Sequence, residues 1–371
     1  MKFQCDAKAI AGAVTAASKV VNAHTTVPIL NNVLVSAQGD RVSVRATDLE
    51  LTLENAVGAE IQEEGSCTVP ARLFTQYLAN LPVAAKLQMQ GTSTRATLKC
   101  ERSNYEFYTL PADEYPPLPE GQKGVHFRVD AKEFRDASSA VTFAASGEEA
   151  RGAVLMGTLL ELDGSDLTMV ATDGYRLARR HVALAEPVTS PSKLIVPARG
   201  LGEVVRVPSD GVMEATVIGG QANQLVFQAG DVRISARLVD GQYPNYQQVI
   251  PKEFDKKVIA STAQLLASLR RAGVVAGDRA SMVKLAMDGS SLVITASSDT
   301  AGNAYEELDV ERSGDPLTIA FNAKFLVEIL NHIESETVAL EFVGALNPAA
   351  IHPAGNGASD RQLYILMPLR Q

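Results

Sequence analysis

The 371-residue chain has no tryptophan, few aromatic residues and only three cysteines, Cys5, Cys67 and Cys100. The cysteines are odd in number, lie in the first third and show no CxxC spacing, so neither a disulfide framework nor a zinc site is indicated. Buried, reduced thiols fit them better. The five histidines are scattered, and none is paired at the spacing of metal ligands. The sequence therefore predicts no metal and no cofactor.

Long apolar runs are missing as well. No stretch approaches the ~18 uninterrupted apolar residues of a membrane span, and the amino end, MKFQCDAKAI, lacks the apolar centre of a signal peptide. A composition of 46% hydrophobic and 21% charged residues is typical of a soluble globular protein. We therefore expect a cytoplasmic protein that does not enter a membrane.

The chain also lacks a basic excess. It has 34 Lys and Arg against 43 Asp and Glu, which gives a formal charge of -9. A protein that holds nucleic acid by bulk electrostatics needs a dense basic surface, because neutralising phosphates supplies its affinity. Composition alone therefore points away from DNA, and any DNA binding must depend on something other than net charge.

What the chain does contain is one pattern in three copies. RATDLELTL, VATDGYRLA and TASSDTAGN place their alanines, Ala46, Ala171 and Ala296, 125 residues apart both times. A second series, TVPARLF, IVPARGL and AFNAKFL, has nearly the same spacing, and the copies open alike as MKFQCDAKAI, VHFRVDAKEF and KKVIASTAQL. A solenoid repeat has only ~20 to 50 residues, so each copy should have its own core. We predict three tandem domains, 1–122, 123–251 and 252–371, which meet at the proline-containing segments 115–124 and 243–255.

Within each copy the hydrophobic period changes between that of a helix and that of a strand. In the first copy Asp6 can cap a helix whose apolar face runs from Ile10 to Val21, and a second helix runs from Leu73 to Leu81 and stops at Pro82. Short alternating runs between the helices predict strands. Five Asp-Gly pairs, beginning at Asp163, Asp173, Asp210, Asp240 and Asp288, are hairpin signals. Two helices and many antiparallel strands make an α+β domain.

An enzyme is one alternative for the function. Asp48 and Asp173, both within an Ala-Thr-Asp segment, could serve as a general acid and base. Equivalent positions in successive domains of one fold should lie far apart, however, and aspartate in such turns is normally a structural residue. No P-loop, GxSxG or HExxH segment occurs either. We therefore predict a non-catalytic protein.

Five segments, in order, resemble one known family along the whole chain: TVPILNNVLV at 26–35, TVPARLF at 68–74, VATDGYRLA at 170–178, RLVDGQYPNYQQVIP at 237–251 and the closing YILMPLRQ. With the threefold repeat they look like the bacterial sliding clamps, the β subunits of DNA polymerase III. The resemblance implies three clamp domains, each with two helices on antiparallel sheets, and a head-to-tail homodimer that forms a six-domain ring. It also implies a processivity factor of DNA replication that encircles duplex DNA without reading its sequence.

The resemblance places the dimer interface at the edge of the first domain, around Phe107, and near the start of the third, at Val274 and Val275. A ring closed by such heterologous contacts removes exposed sheet edges, which would otherwise invite aggregation. Ordinary core positions would explain the same three residues equally well.

The resemblance also implies DNA contacts, which map onto His24, Arg72 and Arg199, with loop positions Glu149, Ala153 and Val154. A basic residue is usual in the family at His24, and polar or aromatic ones at the loop positions. For Arg72 and Arg199 a solvated helix face is the alternative interpretation. Because a closed ring holds DNA by enclosure, weak, salt-sensitive phosphate contacts would suffice.

The family's second functional part is a hydrophobic groove between the second and third domains, which receives short linear peptides of the polymerase III α subunit, the clamp loader, other polymerases and repair proteins. Aliphatic and methionine side chains suit such a groove, and Arg176 and Arg370 could orient a polar peptide residue. Tyr175 and Gln248 depart from the histidine and arginine common in the family. For Leu155, Leu177 and Ile365 core packing is an equal alternative. The groove maps onto Leu155, Thr172, Gly174, Tyr175, Arg176, Leu177, Pro244, Val249, Pro348, Ile365, Leu366, Met367, Pro368, Leu369 and Arg370.

A second alternative keeps the clamp fold but not the ring. A diverged paralogue could bind peptides as a scaffold without encircling DNA, which would fit the mixed charge of the predicted inner helices. Their cations are interrupted by acidic residues such as Asp130, Glu133, Asp136, Glu328, Glu334 and Glu336. The cations themselves are Lys8, Lys19, Arg72, Lys132, Arg135, Arg199, Arg206, Arg270, Arg271 and Lys324.

Overall fold

The computed structural model describes residues 1–22, 25–118, 121–148, 151–207, 210–220, 223–277 and 281–370. The chain packs as two compact units. The N-terminal unit comprises residues 1–132 and 206–238, and the C-terminal unit comprises residues 133–205 and 239–371. The middle copy of the repeat therefore contributes strands to both units.

One order of elements occurs three times: a strand, a helix, four strands, a second helix and three strands. The first domain has β1 Lys2–Asp6, α1 Ala7–Ser18, β2 Asn32–Gln38, β3 Arg41–Thr47, β4 Leu51–Glu63, β5 Gly65–Pro70, α2 Ala71–Ala79, β6 Lys86–Gly91, β7 Arg95–Cys100 and β8 Ser103–Tyr108. The middle domain has β9 Lys123–Asp130, α3 Ala131–Thr142, β10 Gly157–Asp163, β11 Asp166–Thr172, β12 Arg176–Ala183, β13 Ser192–Pro197, α4 Ala198–Val205, β14 Val212–Ile218, β15 Gln224–Ala229 and β16 Val232–Arg237.

The third domain follows the same order with two short additions, β21 and α7. It has β17 Lys256–Ser261, α5 Thr262–Ala276, β18 Met282–Asp288, β19 Ser291–Ser298, β20 Gly302–Asp309, β21 Glu311–Ser313, β22 Leu317–Asn322, α6 Ala323–Leu330, β23 Thr337–Phe342, β24 Ala349–Pro353, α7 Ala358–Arg361 and β25 Gln362–Leu366. The prediction of three α+β domains of one fold is confirmed.

Each domain contributes two antiparallel sheet segments. The strand orders are β5-β2-β3-β4 and β1-β6-β7-β8 in the first domain, β13-β10-β11-β12 and β9-β14-β15-β16 in the middle one, and β22-β18-β19-β20 and β17-β23-β24-β25 in the third. Strands of neighbouring domains also pair with each other. We call the β4·β16 pairing of the N-terminal unit the first junction, and the β12·β25 pairing of the C-terminal unit the second junction.

The helices bury one apolar face each, as their sequence period predicts. Asp6 caps α1, since its carboxylate accepts hydrogen bonds from the backbone N–H groups of Lys8 and Ala9. The first helix ends at Ser18 instead of continuing to Val21, and the buried residue beyond it is Val20. The apolar spacing therefore continues beyond the end of the helix, because a residue can be buried in the core without taking part in helical hydrogen bonding.

Three of the five Asp-Gly pairs lie where hairpins were predicted. Those at Asp163 and Asp288 connect β10 to β11 and β18 to β19, and the one at Asp173 lies in the turn between β11 and β12. The prediction was wrong for Asp210, which lies between α4 and β14, and for Asp240, which follows β16. All five glycines still have positive φ, so the pairs mark left-handed backbone correctly but not always a hairpin.

Strands β8 and β20 each lie at one open end of a sheet. In the N-terminal unit β8 pairs with β7, and in the C-terminal unit β20 pairs with β19. Both carry exposed tyrosines, Tyr105 and Tyr108 on β8 and Tyr305 on β20. In the part of the chain that the structure describes, no helix is long and apolar enough to cross a membrane.

Candidate functional site

A cavity of about 160 Å³ lies in the C-terminal unit beside the second junction. Its walls come from the turn after β11, the start of β12, the segment after β16 and strand β25. It is lined by Leu155, Thr172, Gly174, Tyr175, Arg176, Leu177, Pro244, Asn245, Tyr246, Val249, Ile365 and Met367. The structure thus brings together all the predicted groove residues except Pro348, Leu366, Pro368, Leu369 and Arg370.

The floor of the cavity is part of the hydrophobic core. Leu177 and Ile365 are paired across the second junction, are nearly inaccessible and belong to one apolar cluster with Val170 and Leu363. Leu155, by contrast, is only partly buried. The two interpretations of the floor residues, core packing and cavity lining, therefore hold at once: the cavity is a place where the core reaches the surface.

Two residues of one wall were missed from the sequence, although Pro244 and Val249 in the same segment were predicted. The residues after β16 form a short 3-10 helix, Tyr246–Val249, and both Asn245 and Tyr246 line the cavity. The Tyr246 hydroxyl donates to the Glu161 carboxylate at 2.6 Å. Burial, and to a smaller extent this hydrogen bond to a carboxylate, raises the pKa of Tyr246 to about 12. The aromatic residue following Tyr-Pro-Asn was the available signal, because a tyrosine in a proline-containing linker needs an apolar surface to cover it.

The turn that forms the rim is built by Asp173. Its carboxylate accepts hydrogen bonds from the backbone N–H groups of Tyr175 and Arg176, at 2.9 and 3.0 Å. Asp48 makes the same kind of turn in the first domain, where it accepts from the N–H groups of Glu50 and Leu51. Both aspartates therefore have a structural role in their turns, as is usual for aspartate at such positions.

Arg176 is anchored inside the unit by contacts with other residues of this chain. Its guanidinium lies 4.4 Å from the ring centre of Phe325 and 5.2 Å from that of Phe143. It also donates to Asp173, to the Glu328 carboxylate and to the backbone carbonyl of Phe143. The side chain is only 9% exposed. Arg176 therefore has a structural role in this chain, and its predicted role in orienting a peptide residue stays a prediction.

Tyr175 forms the accessible part of the rim. Half of it is exposed, the Arg151 guanidinium lies 4.5 Å above its ring, and its other neighbour is the Phe325 ring at 6.5 Å. Arg151 in turn donates to the Asp173 carbonyl at 2.8 Å. The aromatic and cationic side chains on either side of Tyr175 hold its ring at the mouth of the cavity.

The carboxyl-terminal segment is docked by its backbone. The Met367 N–H donates to the Tyr175 carbonyl at 2.9 Å, and the Leu369 N–H donates to the Ala320 carbonyl at 2.8 Å. Leu366 is fully buried and does not line the cavity, because side chains alternate along β25 and its neighbours Ile365 and Met367 take that direction. Pro348, Pro368 and Leu369 are half-buried and Arg370 is exposed, all outside the cavity wall.

The residues predicted to contact DNA are only partly described. Arg72 and Arg199 are exposed on α2 and α4, whereas His24 and Glu149 lie outside the described residues. Ala153 is exposed, but Val154 packs against the apolar cluster below the cavity. Among the cations of the predicted inner helices, Arg270 donates to Asn331, and Arg271 pairs with Glu306 at 2.5 Å.

The predicted dimer residues lie at surfaces of their own units. Phe107 is half-buried on β8, where a groove of about 480 Å³ runs between that strand and α2. Val274 is 80% exposed near the end of α5, and Val275 is half-buried. The groove is lined by Leu73, Gln76, Tyr77, Asn80, Leu81, Pro82, Cys100, Glu101, Ser103, Tyr105 and Phe107. Among the described residues no cluster of acidic, histidine or cysteine side chains could hold a metal ion.

Comparison with known proteins covers the whole chain. Residues 1–119, 128–245 and 247–370 match the N-terminal, central and C-terminal domains of the DNA polymerase III beta subunit. The beta sliding clamp of Escherichia coli K12 is 31% identical over 371 residues, with 100% of both chains covered. That of Synechococcus elongatus is 30% identical over 377 residues, covering 100% of this chain and 99% of the relative.

Solved structures agree with the sequence comparisons. The sliding clamp of Pseudomonas aeruginosa bound to griselimycin is 30% identical, superposes with a TM-score of 0.93 and covers 100% of both chains. The clamp of Bacillus subtilis is 25% identical, has a TM-score of 0.92 and covers 100% of this chain and 99% of that one. The chain therefore belongs to the DNA polymerase III beta subunit family, the sliding clamps of bacterial DNA replication.

Proposed function

We propose that two copies of this chain close head to tail into a ring that encloses duplex DNA, and that the cavity beside the second junction tethers partner peptides to it. The observation that carries the ring is a repeated strand pairing. Each junction joins the fourth strand of one domain to the eighth strand of the next. The eighth strand of the first domain, β8, and the fourth strand of the third, β20, lie at open ends of their sheets. We call their pairing between two copies the intermolecular joint.

The two junctions also share one register. Leu53 lies opposite Ile234 at the first junction, and Ala178 opposite Tyr364 at the second. The cross-strand partners within each domain make Leu53, Ala178 and Ala304 equivalent, and likewise Ile234, Tyr364 and Tyr105. The intermolecular joint should therefore place Tyr105 of one copy opposite Ala304 of the other.

Side chains at the second junction supply a second template. Phe143, just after α3, stacks on His332 at 4.3 Å and lies 5.8 Å from Tyr364. Counted from the start of each domain's first helix, the third-domain equivalent of Phe143 is Val274. The equivalents of His332 and Tyr364 in the first domain are Asn80 and Tyr105, which both line the groove beside β8. Val274 of one copy is thus the side chain expected in that groove of the other.

A ring that encloses DNA does not need a net positive charge, so the acidic composition of the chain does not argue against DNA binding. A ring retains DNA topologically, so Arg72, Arg199 and their neighbours need only weak, sequence-independent phosphate contacts, and weak contacts allow sliding. The two inner-helix arginines that bond to Asn331 and Glu306 are consistent with a modest grip. In this proposal the chain performs no catalysis and acts in the cytoplasm, where replication occurs in bacteria.

The cavity suits an apolar peptide side chain. Leucine, isoleucine, valine and methionine line it, with the Tyr175 ring at its mouth. A relative of this chain has been crystallised with griselimycin, and we propose that griselimycin occupies this cavity here. We propose as its biological ligands short peptides of the polymerase III α subunit, the clamp loader, other polymerases and repair proteins.

Retention on DNA tests the ring. The chain, loaded by its clamp loader onto nicked circular DNA, should stay bound through gel filtration and be lost when the circle is linearised, because only enclosure depends on the absence of ends. Val274→Glu should weaken the dimer by about 100-fold, since it buries a carboxylate in the groove. Leu346→Glu, at a site 73% exposed, is the matched control and should keep the dimer.

Equal retention on circular and linear DNA would contradict the ring and favour the alternative of a peptide-binding scaffold of clamp fold. Sedimentation equilibrium separates the causes. A chain of 39.5 kDa that stays monomeric at micromolar concentration has no intermolecular joint, whatever its affinity for DNA.

A further inference from the structure

We infer that Glu328, which lies outside the cavity wall, is a positioning residue of the peptide cavity. The inference rests on the proposed function of that cavity. Glu328 is on α6 in the third domain, and its carboxylate pairs with Nη1 of Arg176, a cavity residue on the middle domain's β12. It thus acts on the cavity through Arg176 and across the second junction.

The geometry of Arg176 shows why this pairing matters. Two aromatic rings, Phe143 and Phe325, have their centres 5.2 and 4.4 Å from the guanidinium carbon and restrict motion toward either ring, but a cation–π contact does not fix how the guanidinium is rotated. Polar partners along the edge of the guanidinium restrict that rotation. Nε donates to Asp173 at 3.1 Å, Nη2 to the Phe143 carbonyl at 3.0 Å, and Nη1 to Glu328. Glu328 is the only one of these partners that belongs to the third domain.

The consequence reaches the cavity mouth through the rim turn. Asp173 both receives the Arg176 side chain and holds the backbone of Tyr175 and Arg176 in place. Phe325, one helical turn before Glu328, contacts the Tyr175 ring. Helix α6 therefore contacts the rim twice. Phe325 contacts the Tyr175 ring, and Glu328 pairs with Arg176. Loss of the ion pair between Glu328 and Arg176 should let the rim adopt conformations in which the cavity mouth is not formed.

Glu328→Gln, which keeps the size of the side chain and removes its charge, should weaken griselimycin binding about three- to tenfold. Because the ligand does not contact Glu328, the substitution lowers its affinity only by reducing the fraction of molecules in which the cavity is formed. The association rate should therefore fall by that factor while the dissociation rate stays unchanged, as measured by surface plasmon resonance on the full chain. Glu334→Gln, an exposed carboxylate just beyond α6, is the matched control and should bind like the unchanged chain.

A double-mutant cycle tests whether Glu328 acts on the cavity through Arg176. In an Arg176→Lys background, where the fork of the guanidinium is gone, Glu328→Gln should weaken binding little further, whereas an effect of Glu328 that does not pass through Arg176 would add to that of Arg176→Lys. Unchanged binding of Glu328→Gln, or a faster dissociation rate with an unchanged association rate, would overturn the inference. Failure of the unchanged chain to bind griselimycin, or full binding by Val249→Glu at the cavity mouth, would instead overturn the proposed cavity and this inference with it.

Discussion

The first and second junctions have the same backbone and different side chains. Each pairs five residues of one domain with five of the next, and each is preceded by the same aspartate-capped turn. At the first junction the position equivalent to Arg176 is Leu51, which is buried at 4% exposure. The ion pairs across it, Arg41 with Asp231 and Arg237 with Glu50, are largely exposed and contribute little to stability.

The difference shows that strand pairing is enough to join two domains, whereas the side chains determine whether the junction also carries a binding cavity. The second junction adds a guanidinium between two aromatic rings and a linker, Tyr246–Val249, that folds back to wall a cavity. In the first domain the corresponding surface is filled by an apolar cluster, Ile29, Leu30, Leu34 and Tyr115. One repeated scaffold thus carries a purely structural joint and a joint with a binding site.

The largest expected effect compares the two equivalent positions directly. Arg176→Met should destabilise the C-terminal unit by about 2–4 kcal/mol, because Asp173 and Glu328 lose the cation between them. Leu51→Met should cost less than about 1.5 kcal/mol in the N-terminal unit, since it conserves volume and polarity. Hydrogen exchange of each unit, followed by mass spectrometry, measures the two separately. Equal effects would mean that the second junction is held by strand pairing alone.

A smaller effect concerns two buried tyrosines, one in each unit. Burial is the main cause that raises the pKa of both Tyr115 and Tyr246 to about 12, above the ordinary value of 10.0. Between those values the unfolded state binds fewer protons than the folded state, so the free energy of unfolding should fall as pH rises through this window. Tyr246→Phe and Tyr115→Phe should each flatten that fall in their own unit and cost about 1 kcal/mol at neutral pH.

Urea unfolding at several pH values between neutrality and 12, with hydrogen exchange at neutral pH to assign each unit, checks this. A slope that is the same with and without the hydroxyls would show that the two phenols ionise freely in the folded chain. It would contradict the buried setting given to Tyr246 at the cavity wall and to Tyr115 in the first domain.

Much of this architecture was readable from the chain. The equal spacing of Ala46, Ala171 and Ala296 predicted three domains because equivalent turns follow equivalent strands. The capping role of Asp6 and the left-handed glycines followed from local chemistry. The resemblance to a known family, carried over residue by residue, named most of the residues that line the cavity.

What the sequence could not show depends on distant side chains. Arg176 was predicted to face a ligand, and only the fold places Phe143, Phe325 and Glu328 around it. Leu366 was assigned to the groove by the resemblance to the family, but the alternation of side chains along β25 turns it into the core. Asn245 and Tyr246 were overlooked because a linker has no periodicity from which to predict a binding wall.

The central claim is that the intermolecular joint repeats the pairing of the two junctions in the same register. Tyr105→Cys combined with Ala304→Cys tests it most directly, since the native cysteines are all buried and antiparallel residues directly opposite each other lie within disulfide reach. Mild oxidation should give a covalent dimer of twice 39.5 kDa, whereas Tyr105→Cys with Glu307→Cys, displaced in register, should give little. A covalent dimer from the displaced pair and not from Tyr105 and Ala304 would contradict the account.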